Sequence, residues 1–386
     1  MVEEIVIVGG GPAAHAAAGA YRDAGGTLAV RILAAESDLP YERPPLTKRY
    51  LRGKSSPGDL LLAHADWYQE REVVVEREAE VVDLDLDAGE ARCADGRVWG
   101  FQRCLLASGA RPLLPEVPGA DGPDVRTVRT IADSEQLRAV AECSVLVVGS
   151  GFVGCEAAAS LAMLGAEVTV ATLEASPQVE RLGEEPAARI ESWLSGQGVE
   201  LLTEADLAEI AVEPGGSLVR FEDGREARTD AVVLALGITR NDELAARAGV
   251  RVDDGVLVDA AMVSSDPRLL ACGDVAAAWN SAAGRRLRVE HWGEALNMGE
   301  VAGRTLAGCE AKWDVAPGFW STIGERTLKY AGWGDGWDEV RFEPGAGQSF
   351  VAYYGRGGEL VGVLAHDDDG AYERGRSEVE EHARWS

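Results

Sequence analysis

The chain has 386 residues, 46 % of them hydrophobic, and a formal net charge of −28. That length supports two or three domains, each with its own core, and so large a negative charge argues against nucleic acid, whose phosphates need clustered cations. No apolar run reaches the roughly 18 residues of a membrane helix, and the N-terminus Met1-Val2-Glu3-Glu4 is acidic, unlike a secretory signal, so a cytoplasmic protein with no membrane partner is expected.

The first strand, Glu4 to Val8, runs into Gly9-Gly10-Gly11-Pro12-Ala13-Ala14, which opens an Ala-rich helix to about Ala24. A second such unit begins at Val145-Leu146-Val147-Val148, with Gly149-Ser150-Gly151-Phe152-Val153-Gly154 opening a helix over 152 to 164. In such a turn the first glycine bends the chain, the second lets backbone approach a pyrophosphate, and the third packs helix on strand. Two of them in correct context predict two bound dinucleotides.

After the first helix, 29 to 34 reads as the next strand of a βαβ unit, and Glu36 stands where an acid binds a ribose hydroxyl; a surface carboxylate is the other reading. Residues 73 to 107 alternate like short antiparallel strands, with a turn at 94 to 97, ending in a buried strand at Cys104 to Ala107. A Pro-rich link over 112 to 123 leads to a helix at 131 to 141 and the second glycine turn. Strand 167 to 171, a helix near 184 to 196 and a closing run at 231 to 237 complete the second unit. The chain then returns to the first domain, whose last strand is expected at 269 to 272 and whose next helix is expected over 293 to 307. Aromatic residues and short alternating runs after Pro317 indicate a small separate domain. The expected fold is α/β: two Rossmann-like dinucleotide-binding domains, 1–111 with 238–315 and 112–237, plus a C-terminal α/β domain, 316–386.

The six cysteines show no C-x-x-C and no zinc spacing, so no metal site is expected and each reads as a reduced core thiol. Two basic runs, Lys48 with Arg49, Arg52 and Lys54, and Arg285 with Arg286 and Arg288, are either solvated loop charges or a docking rim.

Several segments resemble the ferredoxin reductase branch of the pyridine-nucleotide flavoprotein reductases, the group that includes putidaredoxin reductase, rubredoxin reductase and the reductases of aromatic-ring dioxygenases. Leu39-Pro40-Tyr41-Glu42-Arg43-Pro44-Pro45-Leu46-Thr47-Lys48 is similar to that group's R-P-P-L-S/T-K loop, and four further segments match in order: Leu106 to Pro112, Gly237 to Asn241, Ala271 to Ala276, and Phe319-Trp320-Ser321. The resemblance covers nearly the whole chain and implies a glutathione-reductase-like plan with FAD at the first turn and NADH, with NADPH possible, at the second.

It implies FAD contacts at Gly9, Gly11, Pro12, Ala13, Ala14, Glu36, Arg43, Pro44, Val81, Ala107, Ser108, Gly109, Arg129 and Gly273, with Asp274 holding the ribityl chain. Lys48 lies near the isoalloxazine in such proteins, and Glu290-His291-Trp292 with Ala295 leads into a helix aimed at the flavin. Trp292 and Trp320 are candidate ring contacts, each with a core role as its alternative. For the nicotinamide the implied contacts are Gly149, Gly151, Phe152, Val153, Gly154, Gly237 and Ile238, with Glu156 meeting the carboxamide; Glu174, 20 residues after Gly154, stands by its spacing where an acid binds the ribose 2′-hydroxyl.

No acid–base triad is required, since hydride transfer belongs to the cofactors. The acceptor implied is a one-electron ferredoxin or rubredoxin serving a P450 or ring-hydroxylating oxygenase, with Arg285, Arg286, Arg288, Arg49 and Arg52 as the docking cations and the protein a monomer or weak dimer. Residues 41 to 50 contain no cysteine, which argues against disulfide exchange. An NADH oxidase, or a redox flavoprotein resembling apoptosis-inducing factor, is the alternative. The chain departs from the group's pattern at Thr172, Ala35 and Thr322-Ile323, where acids or an amide are usual.

Overall fold

A computed structural model describes residues 4–385; Met1, Val2 and Glu3 of the acidic N-terminus, and Ser386, lie outside the described residues. Strand Glu4–Val8 is the middle of a five-stranded parallel sheet, flanked on one side by Ala29–Leu33 and Val73–Glu76 and on the other by Arg103–Leu106 and Leu269–Ala271. Its strands are almost wholly apolar because helices cover both faces of such a sheet. Val8 pairs with both Leu33 and Leu106, so the glycine turn that follows opens at the crevice where the strand order reverses.

One expectation is corrected. Val73–Glu76 is the parallel edge of this sheet, and the antiparallel meander is confined to Val81–Asp85, Glu90–Cys93 and Val98–Gly100. The helix Ala65–Glu70 supplies the crossover that returns the chain parallel, and alternation of side chains alone does not tell a parallel edge strand from an antiparallel one.

The second parallel sheet runs in the order Glu200–Leu202, Glu167–Ala171, Ser144–Val148, Ala231–Leu234, Val125–Arg126. Ala110–Pro112 and Ile238–Arg240 pair antiparallel, so the chain's way out of the first sheet and its way back lie side by side. The C-terminal segment forms a five-stranded antiparallel sheet from Gly318–Ile323 to Glu359–His366, backed by helix Asp369–Glu380.

Helices Pro12–Asp23 and Trp292–Leu306 meet along small residues. A Cβ at Gly299 would lie 2.4 Å from the Ala13 carbonyl oxygen, and one at Gly303 would lie 2.2 Å from that of Ala17. The close approach brings the N-terminus of the second helix beside the first glycine turn, both on one crevice.

Candidate functional site

The two glycine turns divide their labour in the same way. Gly9, at a φ of 120°, would set a Cβ 2.1 Å from the Ala107 carbonyl oxygen, and Gly149, at 106°, would set one 2.4 Å from that of Ala235. These glycines let two backbones cross, and Gly154, whose Cβ would meet the Gly149 oxygen at 2.1 Å, locks helix against strand. At Gly11 an added Cβ meets nothing within 4 Å, and at Gly151 only the Ala235 oxygen at 3.9 Å. Both open positions line one cavity of about 1060 Å³.

Of the residues expected at the flavin, Gly9, Gly11, Pro12, Ala13, Glu36, Arg43, Pro44, Lys48, Val81, Ala107, Ser108, Gly109, Arg129, Gly273, Asp274, Glu290, His291, Trp292, Ala295 and Trp320 all line this cavity. Of those expected at the nicotinamide, Gly151, Phe152, Val153, Glu156, Gly237 and Ile238 do. Four of the expected residues do not line it. Ala14 is fully buried under its helix, Gly149 and Gly154 serve backbone crossing as described, and Glu174 accepts the Glu180 N–H at 3.0 Å.

At one end of the cavity charges alternate. Glu36 Oε1 accepts from Arg43 at 2.7 Å, and the Tyr41 hydroxyl donates to its other oxygen. Arg43 also donates to the Arg129 carbonyl at 2.6 Å, and the Arg129 guanidinium donates to Asp274 at 3.0 Å. This line runs from the end of the second strand to the end of the last strand of the first sheet, so the crevice is rimmed by opposite charges held in register.

At the other end, Glu156 is buried and takes four donors: the Thr47 hydroxyl at 2.6 Å and the Lys48 ammonium on Oε2, the Ser321 hydroxyl at 2.7 Å and the Thr322 N–H at 3.2 Å on Oε1. The turn Pro44–Thr47 with Lys48, the helix Phe152–Leu164 and the strand Gly318–Ile323 thus meet on one carboxylate. Beside it, Phe319 lies 4.5 Å from the His291 ring and 4.8 Å from Phe152, and Trp292 meets Trp320 edge to face at 5.5 Å. Burial lowers the His291 pKa to about 4, so its imidazole is neutral at pH 7. Glu290 is pushed up by burial, opposed by Arg240, which donates to it at 2.8 Å.

Sequence reasoning left Thr47, Thr322 and Phe319 out of the site, and Ser321 too. Thr47, Phe319 and Ser321 lie inside matched motifs, the one signal that could have found them. The expected docking cations stand apart from the cavity. None lines the cavity, and all are engaged internally: Arg285 with Asp335, Arg288 with Asp253 and Asp254, Arg49 with Glu42, Arg286 with the Val258 and Ala277 carbonyls, and Arg52 with the Gly324 carbonyl. Arginine runs read from sequence look free because most of their partners, carboxylates and carbonyls alike, come from other parts of the chain.

Cys272 lines the cavity but is fully buried, and burial pushes its thiol well up, away from the reactive thiolate. All six cysteines are free, and among the described residues no cluster of metal ligands occurs. No helix among the described residues is long and apolar enough to cross a membrane. The open ground at Gly11 and Gly151, with the buried, unpartnered Nε1 of Trp292 on the cavity wall, fits a flavin and a pyridine nucleotide laid end to end.

Comparison with known proteins agrees. Residues 3–299 match the family described as pyridine nucleotide-disulphide oxidoreductase. Rhodocoxin reductase of Rhodococcus erythropolis is 32 % identical over 331 residues, 85 % of this chain and 78 % of that protein. Putidaredoxin reductase of Pseudomonas putida is 30 % identical over 372 residues, 94 % of this chain and 88 % of that one. The crystal structure of the ferredoxin reductase for the CYP199A2 system from Rhodopseudomonas palustris superposes with a TM-score of 0.94 at 29 % identity, covering 100 % of this chain and 96 % of that one. With the two-turn crevice and the resemblance read from the Arg43 to Lys48 loop both matched, this chain belongs to the pyridine nucleotide-disulphide oxidoreductase family, among its ferredoxin reductases.

Proposed function

We propose that this protein is an NADH-dependent FAD oxidoreductase that passes electrons one at a time to a ferredoxin or rubredoxin serving a P450 or ring-hydroxylating oxygenase. The observation that carries this reading is that both glycine turns open on a single cavity whose wall also carries the Lys48–Glu156 ion pair. FAD supplies the ability to accept two electrons from a nicotinamide and release them singly.

The chain's own residues bind, orient and exclude water. Gly11 and the helix it opens receive the FAD pyrophosphate, while Glu36 and Asp274, held by Arg43 and Arg129, face its two ribose-derived chains. Gly151 with the helix N-terminus at Phe152 does the same for the pyridine nucleotide. Phe152, Phe319 and Trp292 wall the meeting point with rings, which keeps the hydride path dry. Lys48 places a positive charge beside the ring that becomes electron-rich, and the N-terminus of helix Trp292–Leu306 adds to it. Residues 1–111 with 238–315 hold FAD in this reading, 112–237 hold NADH, and 316–386 carry Trp320 toward the acceptor. A cytoplasmic location and a monomeric or weakly dimeric state belong to the same reading.

The test is NADH-driven cytochrome c reduction by the FAD-loaded protein, with and without a 2Fe-2S ferredoxin, beside NADH loss in air. Strong dependence on ferredoxin is expected. Rapid NADH loss in air, unchanged by ferredoxin, would replace this reading with an oxidase.

A further inference from the structure

Of the run Phe319-Trp320-Ser321, both aromatic residues line the cavity and the serine does not. Ser321 is 1 % exposed, and its hydroxyl is committed to Glu156 Oε1 at 2.7 Å, an oxygen that also accepts the Thr322 N–H. The other oxygen of the same carboxylate accepts from Thr47 and Lys48. A carboxylate presents about four lone-pair sites, so the chain's own donors occupy them all.

The two oxygens share one negative charge. Neutral donors on Oε1 draw part of that charge toward the C-terminal sheet, and what remains on Oε2 is what binds Lys48. In a buried site these electrostatic partitions are little screened. Removing a donor from Oε1 therefore tightens the hold of Oε2 on the ammonium and takes positive charge away from the cavity. The serine is 165 positions from the glutamate, on the strand Gly318–Ile323, which packs against the helix Phe152–Leu164 and so brings its hydroxyl to the carboxylate.

We propose that Ser321 is a positioning residue for the flavin chemistry: by holding Glu156 Oε1 it leaves the Lys48 ammonium available to the reduced flavin and so sets the flavin's reduction potential. This rests on the reading that a flavin binds beside Lys48. It also assigns the C-terminal domain a role in tuning the cofactor beyond carrying Trp320 to the surface.

The experiment is a redox titration of the FAD-loaded protein against a reference dye, in wild type, Ser321→Ala, Ser321→Thr and Ser321→Cys. Ser321→Ala is expected to disfavour the reduced flavin about tenfold, a potential about 30 mV more negative for this two-electron couple. Ser321→Thr keeps the hydroxyl and is expected to restore the wild-type value. Ser321→Cys, a near-isosteric weak donor, is expected to fall between and gives the answer should the alanine variant not fold. An unchanged potential in Ser321→Ala or Ser321→Cys with FAD bound would overturn the proposal and leave the serine as packing. A wild-type protein that takes up no FAD would instead overturn the functional reading beneath it.

Discussion

Lys48 and Glu156 stand 108 positions apart in sequence, yet the ammonium of one rests on the carboxylate of the other where the turn Pro44–Thr47, the helix Phe152–Leu164 and the strand Gly318–Ile323 converge. The lysine side chain is 13 % exposed and the glutamate 5 %, so water screens neither well. A buried pair of this kind adds little stability as a whole, while losing one member leaves the other's charge stranded.

Glu156→Ala is therefore expected to cost about 3 kcal/mol or more, because Lys48, Thr47, Ser321 and the Thr322 N–H all lose their acceptor at once. Glu156→Gln keeps one acceptor oxygen and should cost less. Urea unfolding followed by circular dichroism measures both, and a loss below about 1 kcal/mol for the alanine variant would place the pair among weak surface bridges.

The glycines of one turn should separate folding from binding. Gly9→Ala drives a Cβ into the Ala107 carbonyl at a left-handed backbone position and should lower the melting temperature sharply. Gly11→Ala meets no protein atom within 4 Å, so the apoprotein should melt near the wild-type temperature while its flavin content falls. Equal thermal losses in the two variants would contradict this division.

Acid should weaken the fold through its histidines. Burial lowers His291 and His15 to about 4, from an ordinary value near 6.5, with the charge of Arg71 adding to the effect at His15. The unfolded chain then binds more protons than the folded one between about pH 6.5 and 4, so stability falls as pH drops through that window and levels off below it. Glu290 and Glu294, raised by burial, take up protons earlier in the folded state and offset part of the loss. Urea midpoints at pH 7 and 5 should differ less in a His15→Gln, His291→Gln double variant than in wild type; an unchanged difference would assign the acid sensitivity elsewhere.

The triple variant Arg285→Ala, Arg286→Ala, Arg288→Ala should lower stability, since it strips Asp335 and Asp253 of their arginine partners, leaves Asp254 with Arg240 alone, and takes a donor from the Val258 and Ala277 carbonyls. Because these guanidiniums are engaged within the molecule, the salt dependence of ferredoxin turnover should change by no more than about twofold. Stopped-flow or steady-state turnover over a salt series decides it, and a much flatter dependence in the variant would show that these arginines dock the acceptor.

The parts of the site that were legible are those made by neighbours in sequence. Gly9-x-Gly11 and Gly149-x-Gly151 each combine a strand, a turn and a helix in one short continuous segment, 4 to 23 and 144 to 164, so the apolar run and the glycines specify that geometry locally. Glu36 followed at a fixed interval for the same reason. The edge position of Val73–Glu76 was not legible, since its partner Val30–Leu33 is chosen by the crossover helix and not by the strand's own pattern.

Length, acidity and the two turns thus determined by themselves a two-nucleotide α/β protein, and the Arg43 to Lys48 loop its reductase branch. Only the tertiary structure decided that Glu156 is saturated by Thr47, Lys48, Ser321 and Thr322, that Glu174 accepts the Glu180 N–H outside the cavity lining, and that Arg285 and Arg288 are paired with aspartates. The reason is range. Backbone turns and helix starts depend on residues a few bonds apart, whereas a buried charge is settled by whichever distant donors the folded domains bring within 3 Å, and no local pattern in the sequence records that meeting.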